Sequence, residues 1–233
     1  YIMAEEVYRA CVDNVRELKK HRRRLVMLAN RAIREKNTAD LDTLTKFYSL
    51  LFSAYAENSF LKLIHTPKAF TLQEIADIQS KRNLEEKWKK CVELAFYKID
   101  NNANLGEIAN KKQTLNRILD KYIIEPSQMR NKVAHGQWKK CLNNDCTKIN
   151  AEITDEMLYL DFTKVDRYFK IYKEFEQCVL DLLVSPKTHY RDYYSCITKL
   201  DDYISATELW TLETKREKLL SSPKVKRASC HKR

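Results

Sequence analysis

The stretch "DFTKVDRYFKIYKEFEQCVLDLLVSP", residues 161–186, decides the fold class. Its apolar side chains recur at steps of three and four residues, the spacing that places them on one face of an α-helix. The helix is expected to begin at Thr163 and to end at Ser185 and Pro186. Its apolar face consists of Val165, Tyr168, Phe169, Tyr172, Val179, Leu182 and Leu183. The pattern predicts a long amphipathic helix that buries one face in a core.

The rest of the chain also has the composition of a helical protein. The 233 residues include only 2 glycines and 4 prolines, and 44% of them are hydrophobic, which is enough for a core. Thr71 and Glu74 in "TLQE" form the capping-box pattern that opens a helix. Further helices are predicted at residues 2–36, 41–64, 71–99, 115–123, 127–136 and 189–220. We therefore predict an all-α fold.

Two segments depart from this helical pattern. Residues 139–162 include "KINAEITDEMLYLDF", whose β-branched and aromatic alternation predicts a small β-hairpin packed on the helices. The final "SSPKVKRASCHKR" is basic and is expected to be a flexible tail. The predicted division is an N-terminal helical extension (1–37), a helical bundle (38–185), a C-terminal helix (186–220) and the basic tail (221–233).

The chain is strongly basic. Its formal net charge of +11 suits a partner that carries phosphates or another anionic surface. Charge alone does not distinguish RNA from DNA, an acidic protein or a membrane surface. The patch "HRRR" at 21–24 fits RNA, but it fits solvent or an acidic partner protein equally well. No apolar run approaches the roughly 20 residues of a membrane span, and the start does not resemble a signal peptide. We expect a cytoplasmic protein without a membrane partner.

The cysteines do not form a recognisable framework. There are seven, an odd number, scattered along the chain, and Cys11 and Cys91 lie on apolar helical faces. No disulfide framework is expected, which favours a reducing compartment. "CLNNDC" places Cys141 and Cys146 at a zinc-knuckle spacing, but no second Cys or His pair accompanies them. We therefore expect no metal and no cofactor, and no Walker, dinucleotide or H-E-x-x-H motif is present.

The segment "EPSQMRNKVAHGQW", residues 125–138, concentrates chemically useful side chains on a predicted helix. At about 100° per residue, Met129 and Val133 define a buried edge. The opposite arc carries Arg130, Asn131, Ala134 and His135. Gly136 follows as a natural helix C-cap. The helix therefore presents an arginine, an asparagine and a histidine outward around a small residue.

These three side chains suit cleavage of an RNA phosphodiester. Histidine titrates near neutral pH and acts as a general acid or base. Arginine stays charged and binds phosphate oxygens, and asparagine orients the histidine or the substrate. A base that activates the 2′-OH would yield a 2′,3′-cyclic phosphate and a 5′-hydroxyl without a metal. Spacing alone is weak evidence, because "RELKKH" places Arg16 and His21 at the same spacing. That second copy lacks the asparagine, the small residue and the glycine, and it is interpreted as a solvated face.

"RNKVAHG", residues 130–136, resembles the signature of the HEPN superfamily. In that family an arginine, a following polar residue and a histidine four to six residues later lie on a late helix of a helical bundle. Arg130, Asn131 and His135 match these positions. "LNRILDKYIIEP" is similar to the helix that leads into the motif, and residues 161–186 are similar to the helix that follows. The resemblance covers about residues 38–185, and it implies a HEPN-like bundle flanked by the long first helix, the hairpin and the C-terminal helix.

The resemblance also implies a function. It predicts a metal-independent endoribonuclease of the toxin or antiviral-defence type, with Arg130, Asn131 and His135 as catalytic residues. It implies a homodimer in which both motifs face one cleft, and an antitoxin or a sensor or ATPase as partner protein. RNA, tRNA included, would be the substrate. The alternative is a non-catalytic helical module that binds RNA or protein within a toxin–antitoxin or defence complex.

Several further residues are candidates for the same site. Some HEPN proteins add an acidic residue from an earlier helix, and Glu57 in "AYAENSF" is the best match, although a glutamate in such a pattern is more often a plain exposed side chain without a site role. Lys132, Lys139 and Lys140 flank the motif and are candidate phosphate-binding residues, or solubilising lysines. Trp138 is a candidate for stacking on a base, or for packing.

Overall fold

The computed structural model describes residues 2–99, 105–143 and 145–221. Within them the chain is almost entirely helical and has no β-strand, which confirms the all-α prediction. The helices are α1 (Ile2–Glu35), α2 (Thr38–Ile64), α3 (Leu72–Gln79), α4 (Leu84–Tyr97), α5 (Leu105–Leu119), α6 (Glu125–Ala134), α7 (Ala151–Leu158), α8 (Phe162–Val184), α9 (Pro186–Ala206) and α10 (Leu212–Ser221). A π-helical segment, Asp120–Ile124, joins α5 to α6. No helix in these ranges is both long and apolar enough to cross a membrane.

Helix α8 lies at the centre of the core. Asp161 caps its first turn by accepting a hydrogen bond from the Lys164 amide at 2.8 Å, so the helix begins one residue before the predicted Thr163. Phe169, Tyr172 and Phe175 are buried, and the first two rings contact aromatic rings of α2. The contacting rings of α2 are Tyr48, Phe52 and Tyr55. The apolar periodicity of 161–186 thus forms the face through which α8 packs on α2 in the core.

The long first helix belongs to the same core. Helix α1 packs along α2 and buries Val15, Ala29 and Ile33 in the cluster that α8 fills. Its observed bounds agree closely with the predicted helix at 2–36. The division into an extension, a bundle and a C-terminal helix stays a prediction, although the buried side chains continue from α1 to Leu200 of α9.

Two predicted helices are each divided in the structure. The 71–99 segment forms α3 and α4, because Asn83 accepts a hydrogen bond from the Glu86 amide and starts a new helix. The predicted capping box of Thr71 and Glu74 is present. The 189–220 segment forms α9 and α10, separated at 207–211. There Arg167 of α8 donates to the Ile204 carbonyl and to the Thr207 hydroxyl, so a tertiary contact satisfies the end of α9.

The hairpin predicted within residues 139–162 is wrong. Only one antiparallel bridge, Leu142 with Ile149, forms among the described residues, and α7 occupies most of the rest. Asn150 accepts a hydrogen bond from the Ile153 amide and starts α7. Ile153 and Met157 are four residues apart and face the same small core. This helical spacing was hidden by the β-branched character of the stretch.

The structure contains a disulfide between Cys178 of α8 and Cys196 of α9, with the Cα atoms 6.6 Å apart. The scattered cysteines predicted no disulfide framework, so this bond was not expected from the sequence. The two residues are 18 positions apart in the sequence, and the antiparallel packing of α8 and α9 brings them together. Cys11, Cys91 and Cys141 are free and buried, and Cys146 is free and exposed. The predicted basic tail lies, apart from Ser221, outside the described residues.

Candidate active site on helix α6

The apolar side of α6 fixes the orientation of the candidate site. Met129 and Val133 are buried, as the helical pattern predicts. They belong to a second, smaller core cluster with Cys141 and Met157, against which Leu50, Ile153 and Leu160 pack. Because this cluster joins α2, α6 and α7, it prevents rotation of α6 about its axis. The opposite side of α6 must therefore face away from the core.

The proline at the start of α6 explains the preceding π-helical segment. Pro126 has no amide hydrogen and its ring would clash with the carbonyl four residues earlier. The Glu125 amide instead donates to the Asp120 carbonyl, five residues back, which is the hydrogen bond of a π-helix. Tyr122, Ile123 and Ile124 are buried in this wider turn. This π-helical turn changes the rotational position of the residues that follow it, just before the motif at 130–136.

A glycine turn ends α6 immediately after the histidine. Gly136 has φ +73°, the left-handed conformation that favours glycine. The Gln137 amide donates to the Lys132 carbonyl at 2.9 Å, and the Gly136 amide donates to Val133 at 3.1 Å. This pair of bonds is the Schellman motif. His135 is the last residue before the turn, so its position depends on Gly136.

The outward face carries the predicted catalytic residues. Asn131, Ala134 and His135 are exposed, and Arg130 is half-buried. Within the described parts of the chain, neither the Asn131 amide nor the His135 imidazole forms a side-chain hydrogen bond. Asn131 and His135 are one helical turn apart on the same strip of surface. The structure thus presents both groups to solvent, with the short Ala134 side chain between Arg130 and His135.

Glu57 of α2 contacts the arginine of the motif. Arg130 Nη2 donates to Glu57 Oε1 at 2.7 Å, although 73 residues separate them. The Arg130 side chain is 26% exposed and that of Glu57 is 47% exposed, so water reaches this ion pair. Arg130 Nε is buried and has no hydrogen-bond partner among the described residues. The guanidinium is held in place by one carboxylate and keeps an unused donor.

Two of the predicted RNA-binding residues have structural contacts. Lys132 Nζ donates to the Leu142 carbonyl at 2.6 Å and ties α6 to the loop that follows. Trp138 Nε1 donates to the Val133 carbonyl at 2.9 Å, and its ring meets Phe47 edge to face. The Trp138 side chain nevertheless remains 38% exposed. Lys139 and Lys140 are exposed.

The comparison motif on α1 is a solvated surface. The Arg16 side chain is 73% exposed and pairs with Asp13 at 3.3 Å. His21 is 65% exposed and lies 3.4 Å from Glu17. Both partners belong to the same helix, and no glycine turn follows. The same arginine–histidine spacing therefore occurs here with ion-pair partners on the same helix, and among the described residues neither side chain pairs with another helix.

A half-buried charged cluster was not predicted from the sequence. Asp166 Oδ1 accepts hydrogen bonds from Arg22 at 2.9 Å and from the Tyr48 hydroxyl at 2.7 Å. Lys215 Nζ lies 3.2 Å from the other carboxylate oxygen. Burial raises the pKa of Asp166, but Lys215, Tyr48 and Arg22 outweigh it and hold that pKa below its ordinary value. Arg22 of "HRRR" is therefore structural, whereas Arg23 and Arg24 are exposed.

The two cysteines at zinc-knuckle spacing point to different environments. Cys141 is buried beside α7, and burial raises the pKa of its thiol. Cys146 is exposed at a turn with φ +55°. In the residues that the structure covers, no group of three His, Cys, Asp or Glu side chains is arranged to hold a metal ion.

No family model, curated protein or solved structure matches the chain. The resemblance to the HEPN superfamily therefore rests on residues 130–136 and on the helices on either side of them.

Proposed function

We propose that the protein is a metal-independent endoribonuclease of the HEPN type, with Arg130, Asn131 and His135 as its catalytic residues. One observation carries the proposal. The three residues lie on the exposed side of α6, whose other side is fixed by the buried Met129 and Val133. The arginine is further oriented by Glu57 from α2.

In the proposed reaction the RNA itself supplies the nucleophile. His135 removes the proton from a 2′-hydroxyl, and the 2′-oxygen attacks the adjacent phosphorus. The P–O5′ bond breaks and the leaving oxygen takes up a proton, which gives a 2′,3′-cyclic phosphate and a 5′-hydroxyl. Arg130 binds the non-bridging oxygens, where negative charge develops. Asn131 orients the imidazole or the sugar.

The arginine must exchange one partner for another during this reaction. Glu57 and a substrate phosphate compete for the Arg130 guanidinium, and water already reaches the ion pair. A negatively charged phosphate of the RNA backbone can replace the exposed Glu57 carboxylate at small cost. Arginine binds phosphate and carboxylate groups with the same fork geometry. Glu57 therefore acts as a positioning residue that holds Arg130 before RNA arrives.

Two protons move in the proposed reaction, and each chain carries one histidine in the motif. A second copy of the chain would supply a second imidazole as the acid. We therefore propose a homodimer with the α6 faces opposed, acting as a toxin or antiviral-defence effector under the control of an antitoxin or of a sensor or ATPase partner. Cellular RNA such as tRNA is the proposed substrate.

The test is cleavage of a mixed tRNA pool in EDTA by the wild type, Arg130→Ala and His135→Ala. The proposal predicts cutting by the wild type and a loss of at least about 100-fold in each variant. Arg16→Ala and His21→Ala are matched controls, since they remove the same residue types at the same spacing from a solvated face. Activity that survives both α6 changes, or that falls equally in the α1 controls, would refute the assignment.

A second candidate function is a non-catalytic module that binds RNA or a protein partner through its basic surface. The observation that favours it is the Arg130–Glu57 pair, which already occupies the arginine. This function predicts that His135→Ala changes nothing, whereas Arg23→Glu with Arg24→Glu abolishes binding. The logarithm of the affinity should fall linearly with the logarithm of salt concentration if RNA phosphates are bound. A weak salt dependence would point to a protein interface.

A further inference from the structure

A groove between α1 and α2 lies beside the α6 site. Its volume is about 450 Å³, a size typical of ligand sites. Its apolar lining consists of Leu25 of α1 and Leu50, Leu51 and Ala54 of α2. An aromatic ring and two basic side chains complete it: Phe47 of α2, and His21 and Arg24 of α1. The groove therefore combines apolar surface, an aromatic ring and positive charge.

One strip of α2 connects this groove to the candidate catalytic residues. Its residues recur at steps of three and four, which places them on one face of the helix: Phe47, Leu50, Ala54 and Glu57. At one end of the strip Glu57 holds Arg130, and in the middle Leu50 packs against the smaller core cluster that anchors α6. At 1.5 Å per residue the strip is about 15 Å long. A strand of RNA bound at Arg130 therefore reaches the groove by following α2.

Two exposed aromatic rings meet at the groove end of this strip. Phe47 is 49% exposed and Trp138 is 38% exposed. The rings meet edge to face with their centres 6.3 Å apart, and the hydrogen bond from Trp138 Nε1 to the Val133 carbonyl fixes the indole. Exposed aromatic rings of this kind bind bases in proteins that hold single-stranded nucleic acid, because every base has a flat face that stacks. The pair provides a stacking surface three residues beyond His135.

The groove also carries an arginine that no acidic side chain neutralises. In the described part of the chain the exposed guanidinium of Arg24 has no ion-pair partner. The acidic side chains on either side of the groove pair with other cations: Glu17 with Lys20, Asp42 with Lys46 and Glu57 with Arg130. His21 lies 3.4 Å from Glu17, so no contact with RNA is assigned to it. Arg24 is therefore suited to bind a phosphate next to a base in the groove.

We propose that this groove binds an unpaired base of the RNA substrate, a short way along the strand from the phosphate that Arg130 holds. The base stacks on Phe47 beside the apolar lining, and Arg24 binds the adjoining phosphate. Bases inside a duplex stack on one another, so their faces are not available to a protein ring. The groove therefore selects RNA that is single-stranded beside the cleavage site, such as a loop, over a duplex. This inference rests on the proposed function, because the α6 site brings the strand to the groove.

Fluorescence anisotropy with an uncleavable RNA tests the groove separately from catalysis. The probe is a labelled 2′-O-methyl oligonucleotide, which has no 2′-hydroxyl to attack, used as a single strand or annealed to its complement. The wild type should bind the single strand at least about tenfold more tightly than the duplex. Phe47→Leu keeps an apolar side chain but removes the ring, and it should weaken single-strand binding roughly fivefold or more. Arg24→Ala should lower the slope of log affinity against log salt by about 0.7, whereas Phe47→Leu should leave that slope unchanged.

Tyr97→Ala and Arg16→Ala are matched controls, since each removes a 73% exposed aromatic or basic side chain outside the groove lining. Both should bind as the wild type does. Equal affinity for single strand and duplex, no binding of either, or unchanged single-strand affinity in Phe47→Leu overturns the proposal. If Phe47→Leu fails to fold, Arg24→Ala decides the matter in the same way, because alanine suits an exposed helical position.

The proposed ribonuclease activity and the groove fail in different ways. Absence of cleavage in EDTA, together with single-strand binding that depends on Phe47, would overturn the ribonuclease and keep the groove. Cleavage that requires His135 but proceeds equally well in Phe47→Leu and Arg24→Ala would overturn the groove and keep the ribonuclease.

Discussion

Replacement of Asp166 by asparagine should destabilise the protein more than any single exposed charge change. Asp166 joins four helices, because its carboxylate binds Arg22 of α1, Tyr48 of α2 and Lys215 of α10. Asparagine is nearly the same size, so no cavity is created. It keeps one acceptor oxygen but loses the charge and the second oxygen.

The size of the effect follows from these contacts. Hydrogen bonds to charged groups contribute about 1.5–3 kcal/mol each, and the change weakens three of them. The Asp166 side chain is 28% exposed and that of Arg22 is 34% exposed, so water replaces part of what is lost. A net loss of about 2–3 kcal/mol at pH 7 is expected, and for a chain of this size it lowers the melting temperature by roughly 4–12 °C.

The pH dependence has a definite sign. The pKa of Asp166 is below its ordinary value in the folded protein, so its carboxylate stabilises the fold above the unfolded pKa. That contribution is lost as the pH falls through the folded pKa. The difference between the wild type and Asp166→Asn should be full at neutral pH and should shrink below about pH 4.

Urea denaturation followed by circular dichroism measures these free energies of unfolding. Asp13→Asn is the matched control, since its side chain is 74% exposed and, among the described residues, forms one ion pair, with Arg16 of the same helix. It should leave the denaturation midpoint unchanged. A loss below about 0.5 kcal/mol in Asp166→Asn at pH 7, or a loss that does not depend on pH, would refute the reasoning.

Three further changes examine α6 and its surroundings. Gly136→Ala should cost about 1 kcal/mol of stability in thermal melts, because φ is +73° although the added Cβ meets no atom within 4 Å; an unchanged melting temperature would contradict this. Glu57→Gln should tighten RNA binding a few-fold in low-salt titrations, since the carboxylate no longer competes for Arg130; weaker binding would count against that competition. Lys132→Met should speed proteolysis between residues 139 and 150, because Lys132 Nζ binds the Leu142 carbonyl. The salt dependence of RNA binding should stay the same, and a shallower salt dependence would instead make Lys132 a phosphate ligand.

The helical fold was predictable because its signals are local. The apolar spacing of 161–186, the Thr71–Glu74 capping box and the left-handed glycine at the end of α6 each depend on residues within a few turns. The same helical periodicity predicts that Met129 and Val133 are buried and that Asn131 and His135 are exposed. The ambiguous segment was 148–162, where β-branched residues obscured the four-residue spacing of α7.

The features that escaped prediction depend on contacts between distant segments. Arg22 resembled part of a basic patch, and only the packing of α1 beside α8 pairs it with Asp166. Lys132 is a candidate phosphate-binding lysine, and its hydrogen bond to the Leu142 carbonyl has no signal in the local pattern. Glu57 was predicted as an accessory acidic residue of the site, but its pairing with Arg130 depends on the approach of α2 to α6. Sequence spacing contains no signal for these pairs, since each joins separate elements.

The most direct test of the central claim is the chemistry of the cleaved ends. Purified wild-type protein is incubated in EDTA with an RNA that it cuts, and with the same RNA carrying a single 2′-deoxynucleotide on the 5′ side of the scissile phosphate. The account predicts a 2′,3′-cyclic phosphate and a 5′-hydroxyl from the first RNA, no cut at that position in the second, and no cut of either by His135→Ala. A 5′-phosphate product, cleavage of the 2′-deoxy position, or absence of cleavage of any RNA by the wild type would contradict it.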